Sequence, residues 1–486
     1  MLRRACQRLL VRVASTHLPF STTRSWRVPL GQRFTNLAGN SEEDGVFVFK
    51  EDPNVFSPPG YFGYAPIKLG QRFTNLDRIS PPTFALTNTT ESYEVVRKLG
   101  WGQEANVWLA RRYTKDNPKD SKPLYVAIRI LSAVCSAYVV QGPSYELYAL
   151  GWLQDTDEPA ISHPGRSYCS LAKDHFLYIS VHGCHLAFVF EPHSLNLQDY
   201  ILREKTQNPG LQYLFSLDGI KNIIRQTLLA LSYVHARQLI HTDVKWSNIF
   251  LDQGNQDDAI IKYLIQNPSK AYPVRFAPGL TTEPVMEVMS QPLPLFENPS
   301  RNSLTLKLGD FGLAAPALEA KRRGPFPGTP TDLRAPELVL RSSWGAPVDI
   351  WALGCMFFDL IFSNRPPFDL RGPPGDLDAI HLARMEELLG PFPPSMRTLC
   401  REDTRDKYFD DDGSLKFKIE CSMAASGNLE QQLSPLRQTF SDHDVDELIR
   451  FMRRCLTIDP ASRPTADELL QDPWLSANSQ DHSSES

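Results

Sequence analysis

From Tyr93 onward, apolar residues cluster in short β-rich runs set off by polar ones: Tyr93-Glu94-Val95-Val96-Arg97-Lys98-Leu99, Val107-Trp108-Leu109-Ala110 and Tyr125-Val126-Ala127-Ile128-Arg129-Ile130. These predict three strands, the first two paired as a hairpin. Ser144 to Leu150, which contains Glu146, reads as a helix, and His185 to Phe190 as a further apolar strand ending at Glu191-Pro192. The period then changes. Leu217, Ile220, Ile223, Ile224, Leu228, Leu231 and Val234 recur at helical spacing, which marks one buried helix face. A short alternating strand, Leu304 to Leu308, and an apolar helix beginning at Asp349-Ile350-Trp351 follow. The pattern is that of an α+β chain, β-rich first and mainly helical afterwards.

With 486 residues and 42% hydrophobic side chains, the chain can bury a large core. No uncharged apolar stretch reaches bilayer length, since even Trp351 to Phe362 is broken by Asp359. The eight cysteines form no C-x-x-C pair, which indicates neither a zinc site nor a disulfide framework. Residues 1–41 hold seven Arg and no Asp, Glu or Lys, whereas the chain as a whole is at −5, so the remainder sits near −12. An acidic body favours basic peptides over nucleic acid. The N-terminal composition is that of a mitochondrial transit peptide or of a disordered basic tail. The octamer LGQRFTNL occurs twice, at Leu30–Leu37 and Leu69–Leu76. Two copies do not make a repeat architecture.

Candidate chemistry lies in a few motifs. Gly100-Trp101-Gly102-Gln103-Glu104-Ala105 joins the first two strands, and a G-x-G turn lets backbone amides approach phosphate oxygens without a Cβ in the way. The run His241-Thr242-Asp243-Val244-Lys245-Trp246-Ser247-Asn248 has the order and spacing of a phosphoryl-transfer loop. In that chemistry a carboxylate orients an acceptor hydroxyl and takes its proton, and an amide oxygen five residues on holds a metal ion against the phosphates. Asp243 and Asn248 fit these roles, and Lys245 could neutralise charge on the moving group. Asp310-Phe311-Gly312 follows a strand, as a metal-binding Asp does. Ala335-Pro336-Glu337 and Asp459 to Pro464 come later in the same order.

Together these motifs resemble the eukaryotic protein kinases over about Tyr93 to Leu475, and within them the SR-protein kinases, especially their fungal members. That family is serine/threonine-specific and phosphorylates Arg/Ser-rich splicing proteins. The narrower resemblance is carried by Leu99-Gly100-Trp101-Gly102 with Val107-Trp108-Leu109, His163-Pro164-Gly165-Arg166, Phe190-Glu191-Pro192, Thr242, and Glu387 to Pro394. It implies a bilobal protein-kinase fold with an N-lobe of about 93–191, hinged near Glu191 to a C-lobe of about 192–475. Residues 42–92 would be an N-terminal extension and 476–486 a disordered tail. It also implies an inserted spacer. Asp243 and Asp310 are 67 residues apart, and residues 254–303 contain seven prolines, so this Pro-rich segment is expected to be a loop or linker.

The implied cofactors are ATP and Mg2+. Leu99, Val107 and Ala127 would sandwich adenine near Glu191, and Gly100, Trp101 and Gly102 would cover the phosphates. Arg129 and Glu146 would form an ion pair, Asn248 and Asp310 would hold the metal, and Asp243 with Lys245 would face the acceptor. Glu337 and Arg463 would form a buried pair, and Asp349 would brace the catalytic loop. The implied partners are ATP and basic Arg/Ser-rich proteins, with no direct nucleic acid, no membrane and a monomeric state. Asp410-Asp411-Asp412 could attract such basic peptides, or be a solvated turn. Location by resemblance is cytoplasm and nucleus, against the mitochondrion indicated by the N-terminus. Thr242 stands where kinases switched by activation-loop phosphate carry Arg, which implies a kinase without that switch.

One position breaks the pattern. The third strand of the family carries Lys where this chain has Arg129. Guanidinium keeps the charge but is planar, longer and differently hydrated. Lys98 or Lys122 could substitute by reaching in. Two functions follow from this: an active or impaired serine/threonine kinase, or a pseudokinase that acts as a nucleotide-binding scaffold.

Overall fold

The computed structural model describes residues 51, 63–74, 77–78, 91–114, 122–142, 144–155, 157–274, 286–320, 328–362, 366–368, 370, 376–417 and 427–476. The basic segment 1–41, the first LGQRFTNL copy, much of the extension 42–92 and the tail beyond 476 lie outside the described residues. The chain divides into two units. The first takes the chain up to Gln154 with Ser170–Leu195 and Gln253–Glu297, and the second takes Asp155–Cys169, Asn196–Asp252 and the chain from Asn298. The first unit thus takes in residues on both sides of the expected hinge near Glu191.

In the first unit, strands β1 (Arg72–Phe73), β2 (Ser92–Trp101), β3 (Ala105–Tyr113), β4 (Leu124–Leu131), β5 (Asp174–Ser180) and β6 (Gly183–Phe190) form one antiparallel sheet in the order β1-β2-β3-β4-β6-β5. Alternation places Tyr93, Val95, Trp108, Ala110, Val126, Ile128, Ile130, Phe176, Ala187 and Val189 in one core. Phe73, from the second LGQRFTNL copy, is fully buried in that core. That octamer is thus an edge addition to the sheet: Gly70 and Val95 join it through Gly70 N–H to Val95 O at 2.8 Å and Val95 N–H to Gln71 O at 2.9 Å. Irregular register between Val95 and Arg97 and between Lys98 and Gly100 bends β2 just before the glycine-rich turn. Helices α1 (Ala133–Gln141) and α2 (Glu146–Gln154) follow β4.

The spacer is not the expected linker throughout. Asp257–Gln266 is a helix, and Ile260 with Leu293 packs against Leu109 and Tyr125, with Val96 and Leu99 at the rim. The Asp257 carboxylate accepts the Tyr125 N–H at 2.9 Å, and Gln291 N–H donates to Lys98 O at 2.8 Å. The proline count hid this helix although every one of those prolines, from Pro268 on, comes after its end. Residues 275–285 of the spacer lie outside the described residues.

The second unit is built on helices α3 (Leu217–Ala236), α4 (Pro347–Phe362) and α5 (Asp442–Cys455). Ser216 caps α3 by accepting the Gly219 N–H, and the apolar residues read as one face are buried. Gly165 lies against α3 so closely that a Cβ there would sit 1.8 Å from Leu229 O, which explains the glycine of His163-Pro164-Gly165-Arg166. Short ladders pair β7 (Leu239–Ile240) with β10 (Ala315–Pro316) and β8 (Ile249–Leu251) with β9 (Leu306–Leu308). Both ladders flank the phosphoryl-transfer loop. No described helix is long and apolar enough to cross a membrane. Among the described residues Cys135, Cys169, Cys355, Cys400 and Cys455 are free, and Cys184 is disulfide-bonded.

Candidate active site

In the second unit, β7 delivers the chain into His241 and β8 takes it away after Asn248. Asp349, in the first turn of α4 and buried, accepts the N–H groups of His241 at 2.8 Å and Thr242 at 2.7 Å, and His235 Nε2 at 2.9 Å. This carboxylate holds Thr242 at a φ of 68°, a left-handed conformation that costs a β-branched residue energy and persists only when its surroundings impose it. Thr242 Oγ1 donates to Leu313 O, and Thr329 Oγ1 donates to Thr242 O, at 2.7 and 2.8 Å. The loop is therefore tied to the Asp310-Phe311-Gly312 segment and to the segment before Ala335-Pro336-Glu337 by neutral hydrogen bonds that need no phosphate.

His241 Nδ1 accepts the Asp243 N–H at 3.3 Å, and Nε2 contacts Gly309 O at 3.0 Å, which sets Nε2 as the protonated nitrogen. Its ring packs on Phe311, centroids 5.0 Å apart. Gly309 N–H donates to Asn248 O at 2.8 Å, so the metal-candidate Asp310 follows directly on a backbone contact with Asn248. Asp310 has a φ of 59°, a second strained residue at the same place.

The Asp243 carboxylate is buried. Its Oδ2 accepts Lys245 Nζ at 2.6 Å and Asn248 Nδ2 at 3.0 Å, while its Oδ1 has no hydrogen-bond partner among the described residues. Asn248 Nδ2 also donates to Asp243 O at 2.9 Å. With its amide nitrogen committed to Asp243, Asn248 has its side-chain oxygen left as a hard donor of the kind that binds a divalent cation. Among the described residues no group of three or more His, Cys, Asp or Glu could hold a metal ion. A site of one Asn oxygen and one carboxylate fits a cation that takes its remaining ligands from phosphates and water.

Glu337 and Arg463 form the buried pair, with Nη1 and Nη2 donating to the two carboxylate oxygens at 2.8 and 3.0 Å. The remaining guanidinium donors go to Thr457 O, Pro347 O and Ile458 O. Asp410 to Asp412 form a turn closed by Gly413 at a φ of 95°, with Arg397 donating to the Asp410 and Asp411 carbonyls.

The first unit carries the residues expected to bind nucleotide. Leu99 flanks the Leu109–Tyr125 cluster, Val107 pairs with Arg129 across β3 and β4, and Ala127 pairs with Phe190, which precedes Glu191. The Glu191 carboxylate pairs with Lys173 at 3.0 Å. A Cβ added at Gly100 would meet no described protein atom within 4 Å, and neither Gly100 nor Gly102 has a positive φ. Neither packing nor backbone conformation demands these glycines. Trp101 closes β2 and pairs with Asn106 across the turn.

Arg129 on β4 donates through Nη1 to Glu146, the buried first residue of α2. The altered ion pair is therefore formed. Lys98 does not substitute: its ammonium is buried against Glu51 and, at 3.5 Å, Glu287. Lys122 is at the surface with Asp258 at 2.8 Å. Two participants were not foreseen. Glu104 lies 3.6 Å from Arg129 Nη2, and its only sequence signal is a charge inside a glycine-rich turn. Tyr64 donates to the carbonyl oxygens of Gly102 and Gln103, both at 2.7 Å, and nothing in the sequence marks it. Burial, with Cys135 and Glu104 nearby, holds the Tyr64 hydroxyl above its ordinary value, so it remains a donor.

The sequence pattern of the protein kinase domain family matches residues 177–264 and 295–475. The serine/threonine-protein kinase SRPK of Physarum polycephalum is 26% identical over 447 residues, covering 90% of this chain and 92% of its own. A serine/threonine protein kinase of Aspergillus fumigatus is 29% identical over 85% of this chain and 88% of its own, and the dual specificity protein kinase CLK4 of Mus musculus is 26% identical over 79% and 66%. The crystal structure of a kinase domain superposes with a TM-score of 0.51 at 22% identity, covering 82% of this chain and 99% of that one, which supports the fold.

Proposed function

Since the chain belongs to the protein kinase family, in its SRPK- and CLK-like serine/threonine branch, we propose that it transfers the γ-phosphoryl group of ATP to serine in basic Arg/Ser-rich proteins. One observation carries the reading: the buried Asp243 Oδ1 has no partner among the described residues while Oδ2 is fixed by Lys245 and Asn248. A buried acceptor without a donor is costly, and an incoming hydroxyl supplies the missing donor.

The acceptor serine hydroxyl donates to Asp243 Oδ1, and its proton passes to that oxygen as the serine oxygen bonds to the γ-phosphorus. The bond from γ-phosphorus to the bridging oxygen breaks and ADP leaves. Lys245, hydrogen-bonded to Asp243, keeps positive charge beside the transferring group. Asn248 and Asp310 would hold a divalent cation, which when bound supplies charge neutralisation at the phosphates. The turn at Gly100 and Gly102 would let phosphate approach without a Cβ in the way, and Arg129, oriented by Glu146, would offer a cation. The acidic body of the chain supports basic substrates. Tethering of Thr242 to Leu313 and Thr329 supports activity without an activation-loop phosphate.

The second reading, a nucleotide-binding scaffold without turnover, rests on Arg129, since a displacement of about 1 Å at the phosphates is enough to lower rate on the order of a hundredfold. Radiolabelled ATP with an Arg/Ser-repeat peptide separates the two. Wild type is expected to exceed Asp243→Asn by on the order of 10²- to 10⁴-fold and to prefer the Arg/Ser peptide to an acidic one. Wild type at the Asp243→Asn background would end the enzyme reading.

A further inference from the structure

The glycine-rich turn carries a charge where phosphate recognition calls for none. Glu104 sits one residue before Ala105, and its carboxylate is 3.6 Å from Arg129 Nη2, while Nη1 of the same guanidinium donates to Glu146. Both terminal nitrogens of the fork face carboxylates, so two negative charges stand around one positive charge. An ammonium at this position would be a single compact charge; a guanidinium is planar and can be held from both sides.

The backbone of the turn is fixed from outside. Tyr64 donates to Gly102 O and Gln103 O, Ser132 N–H donates to Glu104 O at 2.8 Å, and Gly102 N–H donates to Ala105 O at 2.9 Å. Ala133 N–H in turn holds Gly63 O at 2.9 Å, beside Tyr64. The Glu104 carboxylate is thus delivered to Arg129 by a turn that is tied down, yet its side chain is 60% exposed and can rotate away.

We propose that Glu104 is a positioning residue that gates nucleotide entry: its carboxylate occupies the outer nitrogen of Arg129, and the phosphates of ATP must displace it. This inference rests on the ATP-dependent reading above. It explains how a chain with Arg at this position keeps the guanidinium ordered without nucleotide, and it makes ATP affinity depend on a residue that the chemistry does not use.

Calorimetric titration of ATP with Mg2+ into the full chain tests it without reference to activity. Removing a partly exposed charge pair is worth a modest factor, so Glu104→Gln is expected to tighten ATP binding about fivefold. Asp258→Asn, which removes a surface carboxylate whose ion pair among the described residues is with Lys122, should leave affinity unchanged, and the gain in Glu104→Gln should shrink at high salt. Melting without nucleotide checks that the variants fold, and Glu104→Ala serves as a second removal of the charge. If wild type binds ATP and both Glu104 variants bind it equally or more weakly, Glu104 is not a gate. If wild type itself does not bind ATP, the nucleotide reading falls, and this inference with it.

Discussion

Asp349→Asn tests the link between fold and chemistry most directly. The carboxylate accepts three donors: Thr242 N–H at Oδ1, and His241 N–H with His235 Nε2 at Oδ2. Asparagine keeps one oxygen. In its better orientation that oxygen retains the two histidine donors, and the amide NH2 then faces the Thr242 N–H. The variant loses one charge-assisted hydrogen bond, about 1.5–3 kcal/mol, and leaves a buried donor unpaired, about 1–3 kcal/mol. A loss of about 2.5–6 kcal/mol is expected from these two terms, a large share of the about 5–15 kcal/mol that holds a folded domain. Thr242 would also be released from its left-handed conformation, which relieves about 1–2 kcal/mol per residue in that region and moves the next residue, Asp243. Equilibrium urea unfolding reads the first effect. Single-turnover phosphoryl transfer, at a temperature where the variant is still folded, reads the second, with a fall on the order of a hundredfold for a shift of about 1 Å. A destabilisation below about 1 kcal/mol together with an unchanged transfer rate would refute the bracing role.

The buried Glu337–Arg463 pair gives a second expectation: Glu337→Ala leaves an uncompensated guanidinium and should destabilise by about 3–5 kcal/mol, measured by urea unfolding, with the Glu337→Met/Arg463→Met double variant recovering part of the loss. A third concerns acid. Burial lowers His175 and His185 to about 4 and His381, beside Arg334, to about 3. Each stays neutral when folded and gains a proton on unfolding below the ordinary value near 6.5, so stability is lost as pH falls from about 6.5 toward these folded values, by about 1.4 kcal/mol per pH unit for each histidine. His381→Phe should flatten the urea midpoint's dependence on pH by one proton's worth, and an unchanged slope would count against a buried neutral His381.

Much of the site could be read along the chain because it is made of short motifs whose spacing is set by local backbone. Asp243, Lys245 and Asn248 share one loop, and their mutual hydrogen bonds follow from that proximity. Asp310 was legible for the same reason, through the strand before it. The spacer was misread because proline count reports on loops and says nothing about the ten residues that precede the first proline. Asp257–Gln266 becomes a helix there because Ile260 finds Leu109 and Tyr125 to pack against.

By itself, the sequence determined the alternation that builds the sheet, the apolar face of α3, the candidate reacting groups and the presence of Arg129 where the family carries a lysine. These depend on residue type and on separations of a few positions, which the chain carries wherever it folds. Tertiary structure alone decided which partners those groups meet. Asp349 reaches back more than a hundred residues to hold Thr242, Tyr64 pins the glycine-rich turn, Lys98 is drawn into a buried cluster with Glu51 and Glu287, and Glu104 and Glu146 take the two arms of Arg129. Hydrogen bonds and ion pairs act over about 3 Å, and which side chains come that close across a fold is settled by packing, not by order along the chain.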